Sequence, residues 1–182
     1  MKKIFLVVAS VLLTNSIQAQ IYMGKTCVTH FFSKTSMKDI EATSNTAKPV
    51  LDAASGNFQM RIQITSFKFE SSFMQEHFNE NYMESEKYPY ATFKGKINEK
   101  VDYTKDGIYP VTCTGTMDMH GTTKQITTQG TITVKGKEIT IVSKFKAKPA
   151  DYNIKVPSLY VKEIAEEIDV DIATVMEPYV KK

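Results

Sequence analysis

The hydropathy pattern is clearest at residues 57–64, where Phe58, Met60, Ile62 and Ile64 alternate with Asn57, Gln59, Arg61 and Gln63. A period of two sends successive side chains to opposite faces of a strand, one buried and one wet. Similar alternation recurs at Ala91, Phe93, Gly95 and Ile97, at Cys113, Gly115, Met117 and Met119, and at Ile126, Thr128, Gly130, Ile132 and Val134. It returns at Ile139, Ile141, Ser143 and Phe145 and again at Ile168, Val170 and Ile172. Turn signals punctuate these runs at Lys105-Asp106-Gly107, His120-Gly121 and Lys135-Gly136-Lys137. Many strands joined by short turns predict an antiparallel meander, and closing it into a barrel both forms a core and protects the edges. The expected fold class is all-β, an extended antiparallel β-barrel of about eight strands with one or two short helices. A barrel of this size is either filled by its own side chains or holds one small ligand.

One helix interrupts the strands. Ser72 and Gln75 have capping-box spacing, and Met74, Phe78 and Tyr82 recur every fourth residue on one face. Pro89 stops the helix, because the residue before a proline disfavours helical torsions. A second helical turn is expected near Leu159 to Glu163.

The first 19 residues read as a secretory signal: Lys2 and Lys3, an apolar run from Ile4 to Leu13, then polar residues ending at Ala19. That run is far short of the roughly 20 residues a membrane-spanning helix needs. Residues 20–182 then suit one domain, periplasmic or secreted, with no stable membrane insertion. The formal charge of +3 falls to about +1 without the two leader lysines, so nothing favours a nucleic-acid partner. The two cysteines, Cys27 and Cys113, either pair in an oxidising envelope or serve as small buried apolar side chains.

Candidate chemistry is sparse. His30, His77 and His120 lack metal-pair spacing, and no nucleophile elbow, phosphate loop or dinucleotide fingerprint is present. Glu166, Glu167, Asp169 and Asp171 fall on or beside the last strand; Asp169 and Asp171 lie opposite its apolar face and are read as solvated. The expectation is therefore a protein that is not an enzyme and needs neither cofactor nor metal. An enzymatic reading would need polar groups such as His77, Tyr88, Tyr90 and His120 gathered at a barrel mouth.

The run Met74 to Gly95 contains His77-Phe78, Lys87-Tyr88-Pro89 and Ala91-Thr92-Phe93, and it resembles the YceI family of lipid- or polyisoprenoid-binding proteins. Asp118-Met119-His120-Gly121-Thr122-Thr123-Lys124 and the strand Ile168 to Ile172 are similar to further family segments, so the resemblance spans about Tyr22 to Met176. Where the family commonly has Arg-Asp before the histidine region, this chain has Met74-Gln75. The resemblance implies a lipocalin-like periplasmic barrel holding a long-chain amphiphile, polyisoprenoid or quinone-like, in an apolar lumen. The lumen candidates are Phe58, Met60, Ile62, Phe93, Met117, Met119, Ile139, Ile141, Phe145, Ile168, Val170 and Ile172. The alternative is an envelope protein whose barrel is filled by side chains and whose surface binds a protein partner.

Overall fold

A computed structural model describes residues 20–34, 39–155 and 166–180. The expected leader and the expected turn near Leu159 lie outside the described residues. The strands are β1 (Ile21–Ser33), β2 (Ile40–Ser44), β3 (Val50–Asp52), β4 (Asn57–Gln63), β5 (Tyr90–Ile97), β6 (Gly107–Met119), β7 (Thr122–Lys135), β8 (Glu138–Ala147) and β9 (Ile168–Pro178). They form one antiparallel sheet in the order β2-β1-β3-β4-β5-β6-β7-β8-β9. Because β1 also pairs with β9, the sheet closes into an eight-stranded barrel with one extra strand. The expected fold class is the observed one.

β1 serves two partners on one side. Its residues 21–23 pair with β3 and its residues 29–33 pair with β2. Along its other side it pairs with β9, with a register skip between Gly24 and Thr26. This bulge leaves Lys25 unmatched and reverses the parity of the strand, so Tyr22 before it and Cys27 and Thr29 after it are all buried. His30 consequently faces outward, its Nε2 lying 3.1 Å from Glu41 Oε2.

Turn chemistry fixes the hairpins. His120 and Gly121 both have positive φ, 53° and 70°, as a two-residue type I′ turn between β6 and β7 requires. Between β7 and β8 only Gly136 has positive φ, and its amide donates to Asp106 Oδ1 at 2.7 Å, tying this hairpin to the β5–β6 loop.

Two inward glycines allow the wall to bend. Gly95 stands opposite Gly115, and the Phe93 ring folds back over Gly95. A β-carbon on Gly115 would collide with the Lys94 carbonyl and the Gly95 Cα.

The sheet is weakest between β3 and β4, which are joined by only the pairs Val50–Gln59 and Leu51–Phe58. Beyond them β4 ends in a 3-10 turn, Ile64–Ser66, and the chain leaves the wall. Lys68 then bridges Thr43 of β2 by two backbone hydrogen bonds of 2.8 and 3.1 Å. From there the chain enters α1 (Ser72–His77) and a π-helical turn, Phe78–Tyr82. The cap is Ser71, not Ser72: its hydroxyl accepts from the Met74 amide at 3.4 Å, moving the predicted cap back by one residue. No helix among the described residues is long and apolar enough to cross a membrane.

At one end the barrel is packed solid. Tyr22, Leu51, Ile97, Ile132, Val134, Ile139 and Met176 form a buried cluster there. Tyr103 lies 5.8 Å from the Tyr22 ring, and burial pushes its phenol up to about 12. Both cysteines are free thiols. β1 and β6 sit four positions apart in either direction around the ring, so Cys27 and Cys113 project from opposite walls.

Two predictions follow from this packing. Gly115→Ala is expected to lower unfolding stability by about 2–3 kcal/mol, read from the urea midpoint. Gly136→Ala, whose β-carbon enters open space, costs only the backbone term of about 1 kcal/mol; equal losses would refute the steric account. Burial, with a smaller contribution from Glu99, raises Cys113 to about 11, and burial likewise raises Cys27. Higher thiol pKa values mean less thiolate at pH 8. Iodoacetamide should therefore spare both cysteines in the folded protein and label both once it is denatured without reductant. A denatured, unreduced chain that resists labelling would mean a disulfide.

Candidate functional site

Above the packed end the interior is hollow. An upper cavity of about 180 Å³ lies beneath the helical segment, and a lower one of about 60 Å³ lies toward the closed end. Met60, Phe93, Met117, Phe145 and Ile172 line both and form the constriction between them. Phe58 and Ile141 line the lower cavity only, whereas Ile62, Met119, Ile168 and Val170 line the upper one only. Ile139 lies outside both, fully buried in the closed-end cluster. Alternation placed it on the inner face, but its height along the barrel puts it below the cavities.

The upper cavity is walled on one side by something other than sheet. Met74, Phe78 and Tyr82, the four-residue stripe of the helical segment, all line it. Phe78 stacks on Phe31 of β1 at 5.5 Å and meets Phe67 and Phe69 at 5.9 and 5.0 Å. Phe31 closes the cluster, lying 5.3 Å from Phe67 and 5.7 Å from Phe69. Such aromatic pairs contribute about 0.5–1.5 kcal/mol each beyond burial. Phe31, Phe67, Phe69, Tyr152 and Ile154 were not among the sequence candidates, although Phe67-Lys68-Phe69 and Tyr152-Asn153-Ile154 carry short alternations.

A second segment, the 3-10 turn Pro149–Tyr152, also covers the upper cavity. Three contacts fasten it to the β6–β7 hairpin. His120 Nδ1 lies 3.0 Å from the Tyr152 carbonyl; a carbonyl only accepts, so Nδ1–H donates. Lys124 Nζ meets Asp151 Oδ1 at 2.6 Å, and Asn153 Nδ2 donates to Thr122 Oγ1 at 2.9 Å. His120 is thus more than a polar turn residue: it is 9 % exposed and packs 4.6 Å from the Tyr88 ring. Its Nε2 lies 3.3 Å from Glu84 Oε1 but off hydrogen-bond geometry. Of the other polar groups considered for a barrel-mouth site, His77 packs against Phe73 on its own helix and Tyr90 lies under the Arg61 guanidinium. The four therefore do not converge on an open cleft.

Among the described residues, none that lines either cavity is charged. The charges lie outside, where Lys144–Asp171 and Lys146–Asp169 pair across β8 and β9 at 3.1 and 2.8 Å and Lys25–Glu177 pairs across β1 and β9 at 2.6 Å. Asp169 and Asp171 are solvated, as expected, and such exposed pairs contribute only about 0–1 kcal/mol each. Among the described residues no group of three or more His, Cys, Asp or Glu side chains could hold a metal ion. The arrangement suits apolar surface held away from water, with walls that offer few polar contacts.

The fold has solved counterparts. A polyisoprenoid-binding domain from Saccharophagus degradans, implicated in plant cell wall breakdown, aligns with TM-score 0.74 at 18% identity, over 87% of this chain and 98% of that one. Burkholderia cenocepacia BcnA aligns with TM-score 0.68 at 20% identity, over 82% and 95%. The Campylobacter jejuni YceI protein aligns with TM-score 0.57 at 19% identity, over 100% and 92%. At these identities the likeness shows the fold alone. No curated protein matches the sequence. The model of the YceI-like domain, however, matches residues 16–176, nearly the whole chain, and on that match the chain belongs to the YceI-like family.

Proposed function

We propose that this protein is an exported carrier that sequesters a long-chain amphiphile, polyisoprenoid or quinone-like, in the upper cavity and the constriction beneath it. The observation that carries this reading is the hollow itself. Protein interiors pack at crystal-like density, and an apolar cavity of this order stays dry and accepts apolar molecules. Here the closed end of the barrel is filled by large side chains save for the small lower cavity, while the other half is left open, with no charge among the described residues of its lining. Family membership and the polyisoprenoid-binding neighbour support the same reading.

The driving force is transfer of apolar surface from water, about 25 cal/mol per Å². Burying roughly 300 Å² of a chain yields about 7 kcal/mol before ordering costs, so micromolar affinity needs a ligand somewhat larger than that. Met60 and Met117, between the two cavities, are flexible and polarisable and suit an occupant of variable shape. Residues 1–19 read as the export signal that brings the carrier to the periplasm. No catalytic step is assigned to the site.

Native mass spectrometry of protein purified from its own envelope, followed by organic extraction, tests this. The expected result is a bound apolar molecule on the order of several hundred daltons. Ala147→Trp, on the lumen side of β8 and lining the upper cavity, should strongly reduce that occupancy while the melting temperature holds. A clean unliganded mass from the envelope would refute the carrier and favour a barrel that acts through its surface.

A further inference from the structure

Three of the hydroxyls on the lumen side of β1, β8 and β9 are treated differently by the wall. Thr174 donates to the Thr26 carbonyl at 2.7 Å, and Ser143 donates to the Gln129 carbonyl at 2.7 Å. Both are absorbed by the backbone. Thr29 is not: it is 4 % exposed, it lines the upper cavity, and its hydroxyl has no hydrogen-bond partner among the described residues. The neighbouring Cys27 thiol is within weak hydrogen-bonding reach of it, enough to offset part of the rise that burial causes in the thiol pKa, but the contact is poorly aligned and a thiol is a weak partner.

A buried hydroxyl without a strong partner has lost its water and gained nothing in return, which destabilises the folded state. In the empty protein Thr29 is therefore a liability that valine would not carry. A step of χ1 by about 120° to another staggered well moves the hydroxyl to the place the methyl or the β-hydrogen held, so the hydroxyl can turn toward the cavity without backbone movement. Its depth is set by register: Thr29 lies opposite Ile172, which lines both cavities, so it stands near the constriction.

The chemistry of the occupant's matching group follows from the surroundings. A charged group at this depth would find no compensating charge among the described residues of the lining. A ligand hydroxyl would bring a donor and an acceptor and leave one of them unsatisfied against an apolar wall. A carbonyl oxygen needs only one donor, and Thr29 supplies one.

We propose that Thr29 is the polar anchor of the lumen, donating its hydroxyl hydrogen to a neutral carbonyl-type oxygen carried by the apolar occupant near the level of Ile172. This rests on the carrier reading and adds to it a functional group and a depth. Thr29 sets preference among apolar ligands; it does not provide the bulk of their affinity.

The test uses two probes differing by one carbonyl, valerophenone and pentylbenzene, titrated into wild type, Thr29→Val and Thr29→Ser with 13C-methyl signals of Met60 and Met117 as the readout. Thr29→Val should weaken valerophenone roughly 3- to 10-fold and leave pentylbenzene within about twofold. Thr29→Ser should keep the ketone near its wild-type affinity. The unliganded melting temperature of Thr29→Val should equal or exceed that of wild type, because an orphan hydroxyl has been removed. Equal losses for both probes, no loss for the ketone, or a fall in the unliganded melting temperature would each overturn the anchor while leaving the carrier reading intact. If neither probe moves the methionine signals of the wild type, the carrier reading falls and the anchor falls with it.

Discussion

The pairing of β1 with β9 is the constraint on which the rest of this structure depends. It joins residues about as far apart as the described chain allows: the Thr174 side chain bonds the Thr26 carbonyl across a separation of 148 residues. Without it both strands would be open edges, and the inner face would be exposed to water. With it the strands form a continuous hoop, and the inward sets of β4 to β9 share one interior. Bringing such distant segments together carries a loop-closure cost that grows only slowly with length, and the long ladder between β1 and β9 offsets it. The Lys25 bulge is part of the same solution. A straight β1 would bury one end and expose the other, whereas the single extra residue keeps both Tyr22 and Cys27 inside.

A closed hoop also explains why a cavity persists. In a helical bundle, neighbouring elements can slide inward to fill a void; in a barrel the strand number and hydrogen-bond register fix the diameter. Whether the interior is solid or hollow is then decided by side-chain volume layer by layer. At the closed end Tyr22, Tyr103, Leu51, Ile139 and Met176 fill the available space. At the other end the small residues Ala91 and Ala147 contribute little volume, and the walls cannot close over the gap.

Much of this was legible in the sequence, and the parts that were not share a physical reason. Period-two alternation identifies which face of β4 through β9 is inside, and His120-Gly121 and Gly136 mark their turns. Alternation carries no information about height, so of Ile139 and Ile141, two residues apart on one face and both in the closed-end cluster, only Ile141 reaches the lower cavity. β1 was opaque because its bulge breaks the period, and β2 and β3 are too short to establish one. The aromatic wall was missed because Phe67 and Phe69 lie outside regular strands and meet Phe31 and Phe78 only in three dimensions. Thr29 was invisible for a different reason: a hydroxyl in a strand is ordinary, and its lack of a partner is a property of geometry rather than of sequence.

The division of labour between sheet and non-sheet wall bears on where the cavity can adapt. Deforming the barrel anywhere along β5 to β9 would disturb long, continuous ladders of backbone hydrogen bonds. Beyond the short β3–β4 contact, the emerging chain is tied to β2 by the two backbone bonds between Thr43 and Lys68 and by the Ser44–Ser66 hydroxyl pair at 2.7 Å. The helical segment past that point is held to the barrel largely by side chains, through Met74, Phe78, Tyr82 and the phenylalanine cluster. Aromatic and methionine contacts can be exchanged for contacts with an apolar ligand at little net cost, because both sides of the exchange are dispersion and desolvation. Backbone hydrogen bonds cannot be exchanged in that way, since an apolar ligand offers no donor or acceptor to replace them. The rigid hoop therefore sets where the hollow is, and the side-chain wall together with the Met60–Met117 constriction sets how far its shape can change.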